Sequence, residues 1–267
     1  VLLVVDIGNT HTVAGLYRED SPAGADPDAR WRWRTHRDST ADELAATVAG
    51  MLTLDGHGLD DLSRVAVASV VPPLTRAWRS AVERRIPAAR MLLVGPGLRT
   101  GIRIATSEPH EVGADRIVNA VAAWERFAGP CIVVDLGTAT TFDVIGADAT
   151  YLGGAIAPGI GVSTAALVDR AARLSSVELY VPESPIGRDT ASNMRAGTML
   201  GAVAMLEGML DRTRAAMVAE HGVDPDLHVP AIATGGFART LAEHARGLDA
   251  ADPDLTLRGL QLLALHR

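Results

Sequence analysis

Apolar residues fall into short continuous runs separated by stretches with helical spacing. Val1–Asp6 is a β-branched run that predicts a buried strand; a Gly8-Asn9-Thr10 turn and a second strand near Thr12–Tyr17 follow. Ser21–Asp28, rich in Pro, Ala, Gly and Asp, predicts an exposed loop. Arg30-Trp31-Arg32-Trp33-Arg34 alternates strictly, which puts both tryptophans on one face of a strand and the arginines on the other. Ser39/Thr40 precede a helical pattern from Ala41 to about Leu54, with Asp42 and Glu43 in the first turn where the helix dipole favours acids. Val65–Val70 predicts a buried strand ended by Pro72-Pro73, then a helix from Leu74 to about Arg85 and a short strand at Met91–Val94. Ile117, Val118, Val121 and Trp124 give Gly113–Phe127 a helical period, and Cys131–Asp135 reads as a strand again. Strands alternating with helices predict an α/β fold.

The second half repeats this plan. Val133-Val134-Asp135-Leu136-Gly137-Thr138 matches Val4-Val5-Asp6-Ile7-Gly8-Asn9, and Thr140/Thr141 fall where His11/Thr12 stood. Pro230–Ala233 followed by Thr234-Gly235-Gly236-Phe237 is similar to the Val65–Val70 strand with its breaking turn. Duplication at long period predicts two like α/β lobes with a cleft between them. The expected partition is 1–108 and 109–267, with the 113–127 helix at the junction. Asn193–Ala219 predicts a long packing helix whose small residues allow a close helix or subunit contact.

Composition narrows the chemistry. All 25 basic residues are arginine, which removes lysine-based phosphate binding and Schiff-base mechanisms. Any phosphate must be held by backbone amides, hydroxyls, arginine or metal. A net charge of −7 argues against a general nucleic-acid or acidic-membrane binder. The Val1–Val5 run is too short to cross a bilayer and has no basic flank, so no signal peptide is expected. The single cysteine, Cys131, sits in an apolar strand; it reads as a buried inert thiol and suits a cytoplasmic protein.

A strand ending in aspartate before a glycine–hydroxyl turn suits phosphate handling. Glycine lets the backbone approach, successive amides and hydroxyls meet anionic oxygens, and the aspartate holds a cation or its water shell. Asp-x-Gly is also an ordinary hairpin. Two copies, with Gly235-Gly236 as a third glycine turn, point to nucleotide clamping.

Four blocks sharpen this: Asp6-Ile7-Gly8-Asn9-Thr10, Gly113-Ala114-Asp115-Arg116-Ile117-Val118-Asn119-Ala120, Asp135-Leu136-Gly137-Thr138-Ala139-Thr140-Thr141 and Gly153-Gly154-Ala155-Ile156-Ala157-Pro158-Gly159. In this order, and down to Thr256-Leu257-Arg258-Gly259-Leu260, the chain resembles the type III pantothenate kinases. The Gly-Ala-Asp-Arg block is the most discriminating of them. The resemblance implies the acetate/sugar kinase–Hsp70–actin superfamily, with two ribonuclease H-like (actin-like ATPase) lobes. It implies phosphorylation of pantothenate by ATP at the entry to coenzyme A, in a cytoplasmic homodimer without nucleic-acid or membrane partners.

By that resemblance Asp6, Ile7, Gly8, Asn9, Thr10, His11, Thr12 and Val13 cradle ATP, Asp6 placing Mg²⁺, and Thr138 also contacts ATP. Asp115 is the implied general base. Read alone it is a helix-start acid, kept ionised in a first turn. Arg116, otherwise a surface arginine, is implied to pair with the pantothenate carboxylate, with Gly113 and Ala114 lining the pocket by backbone. Asp135 is implied to bind K⁺ or NH₄⁺. Thr190 is implied to contact pantothenate from the partner subunit; read alone it is an N-cap. Ala105–Pro109 departs from the pattern, with Thr106 in place of an aromatic and Glu108 in place of asparagine. A kinase of the same superfamily with another small hydroxyl substrate, and a non-catalytic transcription accessory factor, are the alternatives.

Overall fold

A computed structural model of the protein describes residues 1–170 and 177–266. The chain divides into two compact units: residues 1–102, 107–122 and 254–267 form the first, and residues 103–106 and 123–253 the second.

In the first unit β1 (Leu2–Ile7) pairs antiparallel with β2 (His11–Tyr17), and β2 with β3 (Ala29–Arg34). β4 (Arg64–Ser69) lies parallel to β1 on its other side and β5 (Arg90–Leu93) parallel to β4, giving the order β3-β2-β1-β4-β5. Because strand side chains alternate, Leu3, Val5 and Ile7 face one side. There they form a buried core with α1 (Ala41–Leu54) and α2 (Pro72–Arg85). Each fully buried aliphatic side chain contributes roughly 1.5–3 kcal/mol. α1 starts as expected: the Thr40 hydroxyl accepts from Glu43 N and the Glu43 carboxylate accepts from Thr40 N. α2 begins two residues earlier than expected because proline fits the first turn of a helix, where no amide is needed. Trp31 and Trp33 pack against this core while the arginines of β3 are exposed.

The opposite face of β1, with Leu2, Val4 and Asp6, meets α8 (Leu255–Leu265), whose Leu257 lies on Gly15 beside Val4. α3 (Ala114–Phe127) crosses α8 so closely that a Cβ on Gly259 would sit 2.2 Å from the Val118 carbonyl oxygen. Fully buried Asn119 accepts from Thr256 Oγ1 at 2.8 Å across that crossing. The 21–28 loop is pinned rather than free: Gly24 N donates to Gln261 Oε1, and Gln261 Nε2 to Pro22 O.

The second unit repeats the order. β7 (Cys131–Leu136), β8 (Ala139–Ile145), β9 (Thr150–Pro158), β10 (Ala231–Gly235) and β11 (Ala250–Ala251) correspond to β1, β2, β3, β4 and β5, and β6 (Arg103–Ile104) adds an edge strand beside β9. Ile132, Val134 and Leu136 face a core built with α4 (Ile160–Arg170), α6 (Gly201–His221) and α7 (Ala238–Ala242). The expected long helix is a rod from α5 (Thr190–Arg195) through a π-helical turn at Ala196–Leu200 into α6, ended by left-handed Gly222. Cys131 is fully buried, which pushes its thiol up to about 12 and leaves it inert.

Two expectations need correction. The partition at 108/109 gives way to one in which 107–122 and 254–267 join the first unit, because α8 packs on β1 and β4. The repeat is also offset: the β7–β8 turn is one residue shorter than the β1–β2 turn, so Ala139 corresponds to His11 and Thr140 to Thr12. No helix among the described residues is long and apolar enough to cross a membrane.

Candidate active site

The β1–β2 turn, Gly8-Asn9-Thr10, closes with Gly8 N donating to His11 O at 3.1 Å. Thr35, just beyond β3, fastens it from the side. Its amide donates to Thr10 O at 2.9 Å and its hydroxyl to Gly8 O at 2.8 Å. A hydroxyl has one hydrogen, so in the 3.0 Å contact between Thr12 and Thr35 it is Thr12 that donates. Thr12 and Ile7 are therefore buried supports of the turn, while Asn9 and Thr10 are exposed on it.

Arginines surround the turn: Arg37 Nη2 donates to Asn9 Oδ1 and Arg32 Nη2 reaches His11 Nδ1, both at 2.9 Å. Arginine only donates, so His11 Nδ1 is the acceptor and its proton sits on Nε2. Burial, then Arg32 and Arg34, hold the His11 pKa below its ordinary value, which keeps the ring neutral. Asp6 is half-buried at the end of β1, between Val13 and Ala68 on the neighbouring strands.

Asp115 stands in the first turn of α3. Its Oδ1 accepts from Arg116 N at 2.8 Å and folds back over Gly113 so closely that a Cβ there would lie 2.4 Å from it. The same Cβ would be 3.5 Å from Val70 Cγ1, and Val70 N donates to Ile7 O at 3.1 Å. Gly113 thus brings the start of α3 against the strand end that carries Asp6. Burial pushes the Asp115 carboxyl above the ordinary carboxylate range; the Arg116 amide and guanidinium oppose this without cancelling it. The helix start alone would have predicted the reverse shift. A raised value brings a general base nearer to its working pH. Ala114 is buried behind it, and Arg116 is half-buried.

The β7–β8 turn is walled by backbone. Gly137 N donates to Ala139 O at 3.0 Å, Gly159 N to Thr138 O at 3.1 Å and Gly236 N to Leu136 O at 3.1 Å. A Cβ on Gly159 would lie 2.4 Å from the Gly137 and Thr138 carbonyl oxygens. One on Gly235, which has φ +89°, would lie 2.7 Å from Asp135 Oδ1. Asp135 is half-buried in this cradle and Thr138 is exposed on the turn. The register places Asp135 between Thr141 of β8 and Thr234 of β10. Gly159 and Thr234 stand in the sequence blocks without a role of their own; the register gives Thr234 its place beside Asp135, where Ala68 stands beside Asp6.

Thr190 is exposed at the first residue of α5 and does not cap it: the Asp189 carboxylate does, accepting from Ser192 N at 2.8 Å. Thr106 packs near Gly153 with its Oγ1 buried and without a partner. Among the described residues no three His, Cys, Asp or Glu side chains gather to hold a metal. The single carboxylate at the end of β1, Asp6, is a donor of the kind Mg²⁺ takes alongside water and phosphate oxygens.

Two sheets of one order, each with an Asp-x-Gly hairpin at its centre, define the duplicated fold of sugar kinases and actin-like ATPases. A Campylobacter jejuni protein assigned to the Baf family of transcriptional activators has this fold, with a TM-score of 0.59 and 16% identity over 99% of this chain and 98% of its own. A Sinorhizobium meliloti protein assigned as a 2-dehydro-3-deoxygalactonokinase has it too, with a TM-score of 0.54 and 15% identity over 100% and 96%. Such identities speak for fold alone. Sequence goes further: the type III pantothenate kinase profile matches residues 2–212. The type III pantothenate kinases of Moorella thermoacetica and of a Nocardioides species are each 42% identical over 263 residues, 98% of this chain and 98% and 97% of theirs. The chain belongs to the type III pantothenate kinase family.

Proposed function

We propose that the protein transfers the γ-phosphoryl group of ATP to the primary hydroxyl of pantothenate, giving 4′-phosphopantothenate and ADP at the first step of coenzyme A biosynthesis. The observation that carries the residue assignment is Asp115, half-buried, folded over Gly113 and set beside the strand end of Asp6. Its carboxylate takes the hydroxyl proton as the new oxygen–phosphorus bond forms and the bond from γ-phosphorus to the β-phosphate oxygen breaks. Arg116 pairs with the pantothenate carboxylate, and the Gly113 and Ala114 backbone lines the pocket.

Asp6 through Val13 cradle the ATP phosphates. Gly8, Asn9, Thr10 and His11 meet them through the turn, while Ile7, Thr12 and Val13 hold its shape. Asp6 orients the metal's water shell, Thr138 contacts ATP, and Asp135, between Thr141 and Thr234, takes a monovalent cation, K⁺ or NH₄⁺. Mg²⁺ and that cation supply neutralisation of phosphate charge. Thr190, exposed at the start of α5, reaches the partner's pantothenate in a homodimer. Exposed Ile156, Val162, Leu167 and Ile186 give the second unit apolar surface to bury there.

The test is ADP release coupled to pantothenate, run in K⁺ and then in Na⁺ alone. Turnover should require pantothenate and rise in K⁺. ADP release indifferent to pantothenate would assign the clamp to another hydroxyl substrate.

A further inference from the structure

Asp143 is a carboxylate with no exposed surface, and the residue assignment above gives it no task. It accepts from the Tyr151 hydroxyl at 2.6 Å and from Thr141 Oγ1 at 2.9 Å. Thr141 is the direct cross-strand partner of Asp135, so the two side chains share one face of the sheet, with Cβ atoms about 4.5–5.5 Å apart. A threonine hydroxyl has one hydrogen and two lone pairs. With the hydrogen committed to a buried carboxylate, Thr141 Oγ1 has only lone pairs for anything beside Asp135. That is the character of a ligand for a hard cation, which binds through oxygen.

The molecule holds its own control. In the first unit the position of Thr141 is taken by Val13, that of Thr234 by Ala68 and that of Asp143 by Gly15. The same strands, in the same order and with the same burial pattern, form there without a hydroxyl row or a buried acid. Building the hairpin therefore does not call for them, and burying a carboxylate is costly without a return.

We propose that Thr141 is a hydroxyl ligand of the monovalent cation at Asp135, and that Asp143 is the positioning residue that turns its lone pairs towards the ion. This rests on the reading of Asp135 as the cation's carboxylate. The experiment is the thermal midpoint of the protein with ATP and no pantothenate, as K⁺ replaces Na⁺ at fixed ionic strength. K⁺ should raise the parent midpoint, and Asp135→Asn should abolish the response. Thr141→Val should raise the half-saturating K⁺ concentration about tenfold, Thr141→Ser should restore it to within about twofold, and Asp143→Asn should behave like Thr141→Val. Tyr151→Phe should lower the midpoint without moving the K⁺ dependence. If Asp143→Asn does not fold, the Thr141 pair decides. A parental K⁺ response in Thr141→Val overturns the proposal and leaves Asp135 in place. A parent indifferent to K⁺, or a normal response in Asp135→Asn, overturns both.

Discussion

The β1–β2 and β7–β8 hairpins are copies of one another, with burial matching position by position along both strands. Their walls are not copies. The first turn is braced by side chains: the Thr35 hydroxyl donates to Gly8 O from the side, and Arg32 and Arg37 reach His11 and Asn9 outside it. Around the second, the places of Thr35, Ser69 and Val70 are taken by Gly159, Gly235 and Gly236. Polarity is exchanged within the sheets: Asp6 lies between Val13 and Ala68, Asp135 between two threonines. Duplication thus supplies a backbone that sets an aspartate at a strand end, and the surrounding residues give the two aspartates different neighbours.

The comparison breaks most sharply at Asp115, which belongs to neither copy. Asp115→Asn should cut turnover by about 10³-fold, within the span of a lost general base, while ATP binding persists; near-normal kcat would remove it from the chemistry. The raised Asp115 pKa adds a sign to the stability. Ionising the buried group costs the folded state, a cost absent below the ordinary aspartate range and complete above the raised value. Asp115→Asn should therefore melt above the parent at neutral pH, with the gap closing as pH falls through the carboxylate range.

Next in size is the glycine wall. Gly159→Ala drives a Cβ into two backbone carbonyl oxygens and should cost about 3 kcal/mol or more in urea unfolding. At the corresponding place in the first hairpin, Thr35→Val loses hydrogen bonds to Gly8 and Thr12 and should cost only about 1–2 kcal/mol. Equal losses would mean that the two walls are not built differently. The smallest effect is local: Arg32→Ala should move the His11 pKa back up towards its ordinary value, read from its ring protons by NMR.

Much of this was written in the order of residues. The apolar runs ending in Asp6 and Asp135 showed both hairpins, and Thr40 with Glu43 showed where α1 starts. The one-residue difference between the turns was not visible, because loop length changes register without changing the motif. Asp189 and Thr190 are both good capping residues, and only the backbone geometry selects the first. Asp143 carries no sequence signal of its own; its burial goes with Tyr151 and Thr141 reaching it. The π-helical turn at Ala196–Leu200 has no local sequence signature.

The seating of α8 against β1 and β4 has a consequence for synthesis. A chain leaving the ribosome exposes residues 1–122 well before residues 254–267. The second unit, apart from the short 103–106 edge, is contiguous and can close while the first still lacks the helix that covers Leu2 and Val4 and sets Leu257 on Gly15. The earliest-made strands should therefore be the last to gain protease resistance in a nascent chain, and the residue proposed as the base, carried on the helix that α8 clasps at Val118, should settle with them.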